Sequence, residues 1–385
     1  MNKLYSRLTL IALVSSGIAQ ALATPLASVV LGMQYGNKHG VGAVFAMTNN
    51  AEENEVIAFS RAADGTLRLN HTYSTRGNGQ GVDFDTQGGL TLSRDRRFLY
   101  ACNPGSDDVT VFAVFGSKLK FVQKVHAGDQ PTSITLSGGL AYVLDSSVAG
   151  NGITGFTVAP NGMLTAIPNS FRALSSPIAV PGEVRFNPAG DTIVVTHKVG
   201  SMIDVFRLEA GGLLSNPIPN PSVGPRPFAL YFQNNGRLFV VESGLPMLGN
   251  TGVSSYDLNT GTGMLAPITI SAKNGQTDGC WIVIRNDQQF AYVANFINGT
   301  VSSYALGSNG TATLIDADAG FSGAMSQPTD LAFDADTRYL YNLLRGGEGI
   351  AGYRVETDGS LTALGIFGVG SGFHSGDGPS GLAAL

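Results

Sequence analysis

Side chains that could take part in catalysis or ligand binding recur at equivalent positions along the chain, directly after short runs of β-branched and aromatic residues. Seven positions share this place: Asn49, Asn103, Asp145, His197, Glu242, Asn295 and Leu344. Asn and Asp are frequent turn formers, which gives most of these positions a structural explanation, although Asn103 and Asn295 are also candidate substrate ligands. His197 and Glu242 are less natural in turns, and both side chains can move protons. They are therefore candidate catalytic residues.

The runs before these positions belong to a repeat of about fifty residues. Its clearest element is a strand of the form Val/Ile-x-x-Phe/Tyr, with copies at residues 56–59, 109–112, 153–156, 203–206, 253–256, 301–304 and 350–353. Successive copies start 53, 44, 50, 50, 48 and 49 residues apart, a constancy that unrelated strands would not show. Turns follow the copies, and several contain Asn-Gly or Asp-Gly steps, which favour hairpins.

Seven repeats of four strands each predict an all-β fold, a seven-bladed β-propeller with four-stranded blades. The first repeat begins at residues 43–45 without an innermost strand, and residues 378–383 form an orphan strand near the other end of the chain. Pairing of these N- and C-terminal strands would close the ring and cover two sheet edges. We expect residues 24–385 to form a single propeller domain.

Residues 1–23 have the pattern of a signal peptide. Lys3 and Arg7 precede an apolar run over residues 8–18, and small residues follow it. The run is too short to span a bilayer, and no later stretch is long enough to do so. We expect a protein without a membrane span that is secreted, or periplasmic if the host is Gram-negative.

Composition excludes further classes of protein. The 385 residues carry 28 acidic and 23 basic side chains without basic blocks, so nucleic acid is not an expected partner. Cys102 and Cys280 stand far apart and the five His are scattered, which predicts neither a disulfide framework nor a zinc site. We therefore expect no metal and no cofactor. A closed ring needs no partner to cover its edges, so we expect a monomer.

Two kinds of short motif have simple interpretations. Three sequons begin at Asn70, Asn298 and Asn309. They would make the protein a glycoprotein only in a eukaryotic host. Residues 83–85, 316–318 and 334–336 have the form Asp-x-Asp but lack the Gly and the distal Glu of an EF-hand loop. We expect these three segments to be solvated turns.

Several short sequence motifs of the repeats resemble those of the lactonase family of seven-bladed propellers, which includes bacterial 6-phosphogluconolactonase and the fungal 3-carboxy-cis,cis-muconate lactonizing enzyme. These motifs are residues 97–100, 327–328 and 358–361. The most specific part is Gly-Pro-Arg at residues 224–226, followed sixteen residues after Arg226 by Glu242. In the family, Gly-Pro-Arg-His and a later Asn-Glu are associated with the active-site cleft.

The resemblance implies roles for this pair. Arg226 would hold a carboxylate or polarise a lactone carbonyl, and Glu242 would move a proton or activate water during ring opening or closing. A structural alternative is an ion pair between Arg226 and Glu242 that joins two strands of one blade.

Three positions depart from the family pattern. Pro227 stands where the family has His, Gly182 stands where another His is expected, and Phe296 replaces an Arg. Glu183 and His197 lie near the vacated positions and are candidates to substitute for the missing groups. Half of the polar residues that the resemblance implies for the active site are therefore replaced.

Trp281 and Phe296 predict an aromatic sector beside these positions. Such a wall suits a ligand less anionic than phosphogluconate or a carboxymuconate, for example a hydrophobic lactone or a polyketide-like or terpenoid-like molecule. The structural alternative is that Trp281 packs between blades.

Three functions follow, all directed at a small molecule. The first is an exported lactonase-like enzyme that opens or closes a ring without metal, with Arg226 as clamp and Glu242 as acid–base group. The second is a cyclase of secondary metabolism, of the hetero-Diels–Alder type, in which an apolar cavity at Trp281 and Phe296 preorganises the reactants. The third is a secreted binding module without catalysis.

Overall fold

Thirty short strands make up nearly all the regular structure of residues 41–148 and 150–385, the residues that the computed structural model describes. The helical segments among them are two short 3-10 turns, Ala210–Gly212 and Ser375–Asp377. No helix in these residues has the length and hydropathy that a membrane crossing needs. The predicted signal peptide, residues 1–23, lies outside the described residues.

The strands form seven antiparallel sheets, here called blades 1 to 7. Blade 1 contains β1 (Gly42–Met47), β2 (Glu55–Arg61) and β3 (Leu67–Ser74). Blade 2 contains β4 (Leu90–Leu92), β5 (Phe98–Asn103), β6 (Asp108–Phe115) and β7 (Lys118–His126). Blade 3 contains β8 (Pro131–Ser137), β9 (Leu140–Asp145), β10 (Gly152–Val158) and an outer position divided between β11 (Leu164–Ala166) and β12 (Arg172–Ala173).

Blade 4 has the same divided edge, with β13 (Pro181–Phe186), β14 (Thr192–His197), β15 (Met202–Glu209), β16 (Leu213–Leu214) and β17 (Ile218–Pro221). Blade 5 contains β18 (Pro227–Phe232), β19 (Leu238–Glu242), β20 (Gly252–Asn259) and β21 (Met264–Lys273). Blade 6 contains β22 (Gly279–Ile284), β23 (Phe290–Asn295), β24 (Thr300–Leu306) and β25 (Ala312–Phe321). Blade 7 contains β26 (Pro328–Phe333), β27 (Tyr339–Leu344), β28 (Gly349–Val355) and β29 (Leu361–Phe367).

The innermost strand of blade 1 comes from the other end of the chain. It is β30 (Leu382–Ala384), which pairs antiparallel with β1 through residues 44–46. The predicted seven-bladed architecture is therefore confirmed, and the predicted pairing of N- and C-terminal strands is present.

The repeated Val/Ile-x-x-Phe/Tyr unit forms the third strand of every blade, which explains its regular spacing. Its aromatic side chain packs between blades. Tyr256, for example, is fully buried in a cluster with Val194 and Ile203 of blade 4. Each fully buried large apolar side chain contributes about 1.5–3 kcal/mol, so this one repeated position stabilises every contact between blades.

Because neighbouring strands are antiparallel, the start of an innermost strand and the end of a second strand lie at the same end of a blade. We call this end the front face. The hairpins that join first and second strands in blades 2 to 7 lie at the opposite end, the back face. The strand ends singled out in the sequence thus all point to the front face.

Residues 86 and 87 cross the axis of the propeller. They belong to the connection between blades 1 and 2, yet the Gln87 backbone N–H donates to the Gly182 carbonyl of blade 4 (3.0 Å). The Gln87 side chain exchanges two hydrogen bonds of 3.0 Å with the Ile282 backbone of blade 6. Bonds to blades 4 and 6 from the start of blade 2 place Gln87 near the axis, where it divides the channel into a front and a back part.

Candidate functional site

Four charged residues from four segments meet at the front mouth of the channel. Asp85 precedes the axial crossing, Lys198 follows β14, Arg226 precedes β18 and Asp278 precedes β22. Lys198 Nζ lies 2.6 Å from Asp85 Oδ2, and Arg226 Nη2 lies 3.8 Å from the same oxygen. Side chains of Asp85 and Arg226 are 39% and 32% exposed, whereas Lys198 is almost fully buried, with Nζ 4.4 Å from the Phe228 ring centroid. We call these four residues the front cluster.

Asp278 is the second carboxylate of the front cluster. Burial raises the pKa of Asp278, the hydrogen bond from Cys280 opposes this, the charge of Asp85 raises the pKa further, and Arg226 and Lys198 lower it. The Cys280 thiol donates to the Asp278 carbonyl (3.3 Å) and lies 3.4 Å from Oδ1. Burial also raises the pKa of Cys280 well above its usual range, so this thiol stays protonated.

A second ion pair borders the front cluster. Asp83 Oδ2 lies 3.5 Å from Arg345 Nη1, and burial followed by the charge of Asp85 raises the pKa of Asp83 to about 6. The prediction that residues 83–85 form a solvated turn is therefore wrong. Residues 334–336 do begin a turn, in which the Asp334 carbonyl accepts from the Thr337 N–H (3.0 Å) and Asp336 is exposed, but the Asp334 side chain is fully buried 3.4 Å from Arg61 Nη2. Asp316 and Asp318 are exposed as expected, but they lie in β25.

Arg226 is held by its backbone while its side chain remains partly free. Its φ of 59° is left-handed, and its N–H donates to Ser201 Oγ (3.0 Å). Its carbonyl accepts from the Ser243 N–H (3.1 Å). Arg226 Nε is buried without a hydrogen-bond partner among the described residues. A buried donor without a partner is costly, and it is typical of a group that a ligand satisfies.

Glu242 lies beneath the Gly-Pro-Arg loop instead of beside the Arg226 side chain. It is fully buried, Oε2 accepts from Ser271 Oγ, and Oε1 has no partner among the described residues. Burial raises the pKa of Glu242, against opposing effects of Ser254, Ser271 and Lys273. A Cβ added at Gly224 would come within 2.1 Å of the Glu242 carboxylate, so the loop rests directly on it. Arg226 and Glu242, both described, form no ion pair with each other.

His197 is also closed off from the front mouth. The ring is fully buried, and Nε2 lies 2.9 Å from Asp204 Oδ2 without hydrogen-bond alignment. The same Asp204 oxygen accepts from the Ser175 N–H (2.7 Å). Alternation along β14 puts His197 on the side of Val195, which packs against Leu144 of blade 3. Its catalytic role remains a prediction, and the structure does not bring it to the front cluster.

Asn103 and Asn295 make equivalent networks in blades 2 and 6. Asn103 Nδ2 donates to Asp108 and Thr110, and Asn295 Nδ2 donates to Thr300 and Ser302. Both amides are fully buried. These bonds tie the end of a second strand to the start of the third, which is the turn role considered from sequence.

Glu183 lies on the innermost strand β13, with its carboxylate turned to the back part of the channel. Its Oε1 accepts from Arg185 Nε (2.7 Å), and its Oε2 accepts from the Leu230 N–H (2.8 Å) of blade 5. Burial raises the pKa of Glu183, although Arg185 opposes this. Glu183 is thus separated from the front cluster by the Gln87 crossing.

The aromatic sector is present, but most of it is buried. Trp281 is 1% exposed, and its Nε1 donates to the Thr86 carbonyl (3.2 Å). Its ring centroid lies 5.1 Å from that of Phe228 and 6.5 Å from that of Phe296, which is half-buried. Trp281 therefore supports the axial crossing from below, and Phe296 is the member that reaches the front face.

Comparisons with known proteins agree on the fold. The profile of a family described as "Lactonase, 7-bladed beta-propeller" matches residues 43–180 and 192–320. No curated protein gives a match. Similar solved structures include the periplasmic gluconolactonase of Pseudomonas aeruginosa, at 18% identity and a TM-score of 0.67, over 89% of this chain and 99% of that one.

Two further solved structures have the same coverage, 89% of this chain and 99% of the other. One is a protein of Bacteroides uniformis provisionally assigned as a 6-phosphogluconolactonase, with 18% identity and a TM-score of 0.67. The other is a protein of Lactobacillus plantarum, with 16% identity and a TM-score of 0.68. At these identities the structural likeness speaks for the fold alone.

Proposed function

Because the chain belongs to the lactonase family of seven-bladed β-propellers, we propose that it is an enzyme that opens or closes a lactone at the front cluster. The observation that carries the proposal is the Arg226 guanidinium. It is held at the mouth of the channel, where 32% of its side chain is exposed and its ion-pair contact among the described residues is that of Nη2 with Asp85 Oδ2, at 3.8 Å. A guanidinium placed in this way can donate to a carbonyl oxygen as negative charge develops on it.

Asp278 is the group we propose as the base for ring opening. It takes a proton from water, the hydroxide oxygen bonds to the lactone carbonyl carbon, and Arg226 stabilises the resulting oxyanion. The ring C–O bond then breaks, and the proton passes from Asp278 to the departing oxygen. The product is a hydroxy carboxylic acid, which becomes the carboxylate by releasing a proton to solvent. Ring closure is the reverse sequence, with water as the leaving group.

The charge balance supports an uncharged substrate. Three carboxylates, of Asp83, Asp85 and Asp278, stand near three cations, of Lys198, Arg226 and Arg345. Such a mouth does not select strongly for anions. Phe296 adds an apolar contact at the rim. The signal-peptide pattern of residues 1–23 supports action outside the cytoplasm.

A panel of lactones tests this function. Acid release is followed with the purified protein on an uncharged alkyl lactone, an aryl lactone and a phosphorylated sugar lactone, with Arg226→Gln beside the wild type. We expect turnover of an uncharged member and a loss of about 100-fold or more in kcat/KM for Arg226→Gln. The matched control is Arg338→Gln, a change of an exposed Arg on the back face that should leave turnover intact.

Two results would contradict the proposal. Turnover that survives Arg226→Gln would remove the front cluster from the chemistry. Binding of lactones without any release of acid, abolished by Arg226→Gln, would establish the third function, a binding module, in place of an enzyme.

A further inference from the structure

A cavity of about 850 Å³ opens on the back face, on the other side of the Gln87 crossing from the front cluster. Its walls come from the ends of the innermost strands and the following hairpins in blades 2 to 5. This volume lies in the range of pockets that bind small organic molecules. No residue of the front cluster lines it.

One cation stands at the floor of this back cavity with a free face. Arg185 Nε donates to Glu183 Oε1 (2.7 Å), and Nη2 lies 2.5 Å from the same oxygen. The guanidinium carbon lies 4.4 Å from the Tyr231 ring centroid. Glu183 and Tyr231 thus fix the plane of the guanidinium. Its Nη1 donates to no described residue, and the side chain keeps 27% of its surface exposed.

The charges around the back cavity leave a positive excess. Arg94, Arg97 and Arg185 line it, against Asp95 and Glu183. Glu183 is already neutralised by Arg185, and Asp95 by Arg97 (2.6 Å). These two pairings leave one net positive charge, that of Arg94 at the rim, while at the floor an anion would meet the Arg185 guanidinium, whose charge is shared with Glu183.

Beside the cavity, the inner channel holds Asp330, whose ionisation would otherwise oppose an anion. Burial raises the pKa of Asp330 to about 8, with Glu183 adding to the shift and Arg185 opposing it. Its carboxyl is therefore mostly neutral at pH 7. The walls add aromatic surface from Phe98, Phe186 and Phe232, so the cavity combines one oriented cation with apolar sides.

We propose that the back cavity is a second small-molecule site, which binds an organic carboxylate with a flat apolar body. The carboxylate accepts hydrogen bonds from Arg185 Nη1, and the apolar body lies against Tyr231 and Phe186. Arginine held in a fixed plane is well suited to a carboxylate, because both groups are planar. The proposal does not depend on catalysis at the front cluster.

Calorimetric titration with 3-phenylpropionate, and with its neutral amide 3-phenylpropanamide, tests this site. Neither probe contains a lactone, so turnover cannot interfere. We expect the carboxylate to bind with a Kd below about 10 mM and the amide to bind about tenfold or more weakly, since the amide carries no charge for Arg185. Equal affinity for the two probes, or no binding of the carboxylate at about 10 mM, would overturn the proposal.

Three variants locate the bound probe. The double variant Glu183→Gln/Arg185→Met removes both charges together, so that neither is left buried alone, and should weaken carboxylate binding about tenfold or more. Thr91→Phe places a ring into the cavity from its wall and should have the same effect if the double variant fails to fold. Arg226→Gln should leave the Kd within about twofold, because that residue is on the front face. Binding that survives the first two variants, or that Arg226→Gln abolishes, would contradict the assignment.

Discussion

At the scale of single residues, Arg226 and Glu242 have different roles, although the sequence predicted that both act directly on the substrate. Arg226 reaches the mouth of the channel, whereas Glu242 supports from below the loop that carries Arg226. The Gly-Pro-Arg phrase and Glu242 are close in space, as the resemblance implied. Asp85, Lys198 and Asp278 could not be found in the same way, because they come from three distant segments that meet only in the folded ring.

Gly224 tests the contact between this loop and Glu242. A Cβ at residue 224 would lie 2.0 Å from Glu242 Oε2, so Gly224→Ala must displace either the loop or the carboxylate. We expect Gly224→Ala to lower the free energy of unfolding by about 1–3 kcal/mol in urea titrations.

The double variant Gly224→Ala/Glu242→Ala should lower the free energy of unfolding by less than the sum of the two single variants, because the shorter side chain at residue 242 leaves room for the new methyl group. Gly376→Ala is the matched control, since a Cβ there meets nothing within 4 Å. Strictly additive losses in the double variant would contradict a direct contact.

At the scale of elements, five blades repeat one connection into the innermost strand. The residue before that strand has positive φ in each case, at Gln130, Val180, Arg226, Asp278 and Gln327. Its carbonyl accepts a hydrogen bond from the residue after the second strand, which is Ser146, Lys198, Ser243, Phe296 and Arg345 respectively. The second set lies one residue beyond the ring singled out from sequence. A shift of one residue explains why the buried Lys198 faces Asp85 of the front cluster while His197 faces Asp204 of its own blade.

This connection was partly visible in the sequence. The left-handed residue is followed by Pro in four blades and by Gly279 in blade 6, at the period of the repeat. Alignment of these positions would have placed Asp278 beside Arg226. The left-handed backbone itself was not predictable, because only Gly and Asn favour it clearly.

Val180 is the member of this set least suited to positive φ, since its side chain is branched at Cβ. Its φ is 46° and 41% of its surface is exposed. We expect Val180→Asn to raise the free energy of unfolding by about 0.5–1 kcal/mol, measured by urea titration, because Asn tolerates this backbone better. Val199→Asn, a change at an exposed Val of the neighbouring loop that does not have positive φ, should give no gain. A loss for Val180→Asn would show that the strain argument fails there.

Asp330 couples the innermost strand of blade 7 to the C-terminal strand. Its Oδ2 accepts from the Leu382 N–H (3.0 Å), and burial raises its pKa to about 8. The unfolded chain releases this proton near its ordinary pKa of 3.8, so the stability that the neutral carboxyl contributes is full below that pH and is lost as pH rises through 8.

We therefore expect the stability of wild type relative to Asp330→Asn to fall between pH 5 and pH 8, by up to about 1.4 kcal/mol per pH unit. Urea titrations of both proteins across this range measure the difference, in which the other titrating groups cancel. Parallel curves for the two proteins would mean that Asp330 does not titrate in this way.

At the scale of the whole molecule, the repeat predicted most of what the structure contains. The seven sheets followed from the spacing of one short strand pattern, and the pairing of β1 with β30 followed from the first repeat that lacks an innermost strand and the orphan strand near the other end of the chain. The axial crossing of residues 86 and 87 could not follow from it, because Gln87 bonds to blades 4 and 6 across the ring. That crossing lies between the front cluster and the back cavity, an arrangement that the repeat alone does not predict.

Removal of residues 382–385 tests the contribution of the shared blade. Without β30, the edge of β1 loses its backbone partners, and Asp330 Oδ2 loses the Leu382 N–H. We expect a large loss of stability and a tendency to self-associate through the open edge, visible in thermal melting and in light scattering. A truncated chain that melts like the full chain and stays monodisperse would contradict this.

The comparison of kcat/KM for Asp278→Asn and Glu242→Gln, on the lactone that the wild type turns over best, tests the central claim most directly. Asp278 is the carboxylate at the mouth, and Glu242 is fully buried beneath the loop. We predict a loss of about 100-fold or more for Asp278→Asn and of less than about tenfold for Glu242→Gln. The reverse order, with Asp278→Asn near wild type and Glu242→Gln inactive but folded, would contradict the account and return the catalytic role to Glu242.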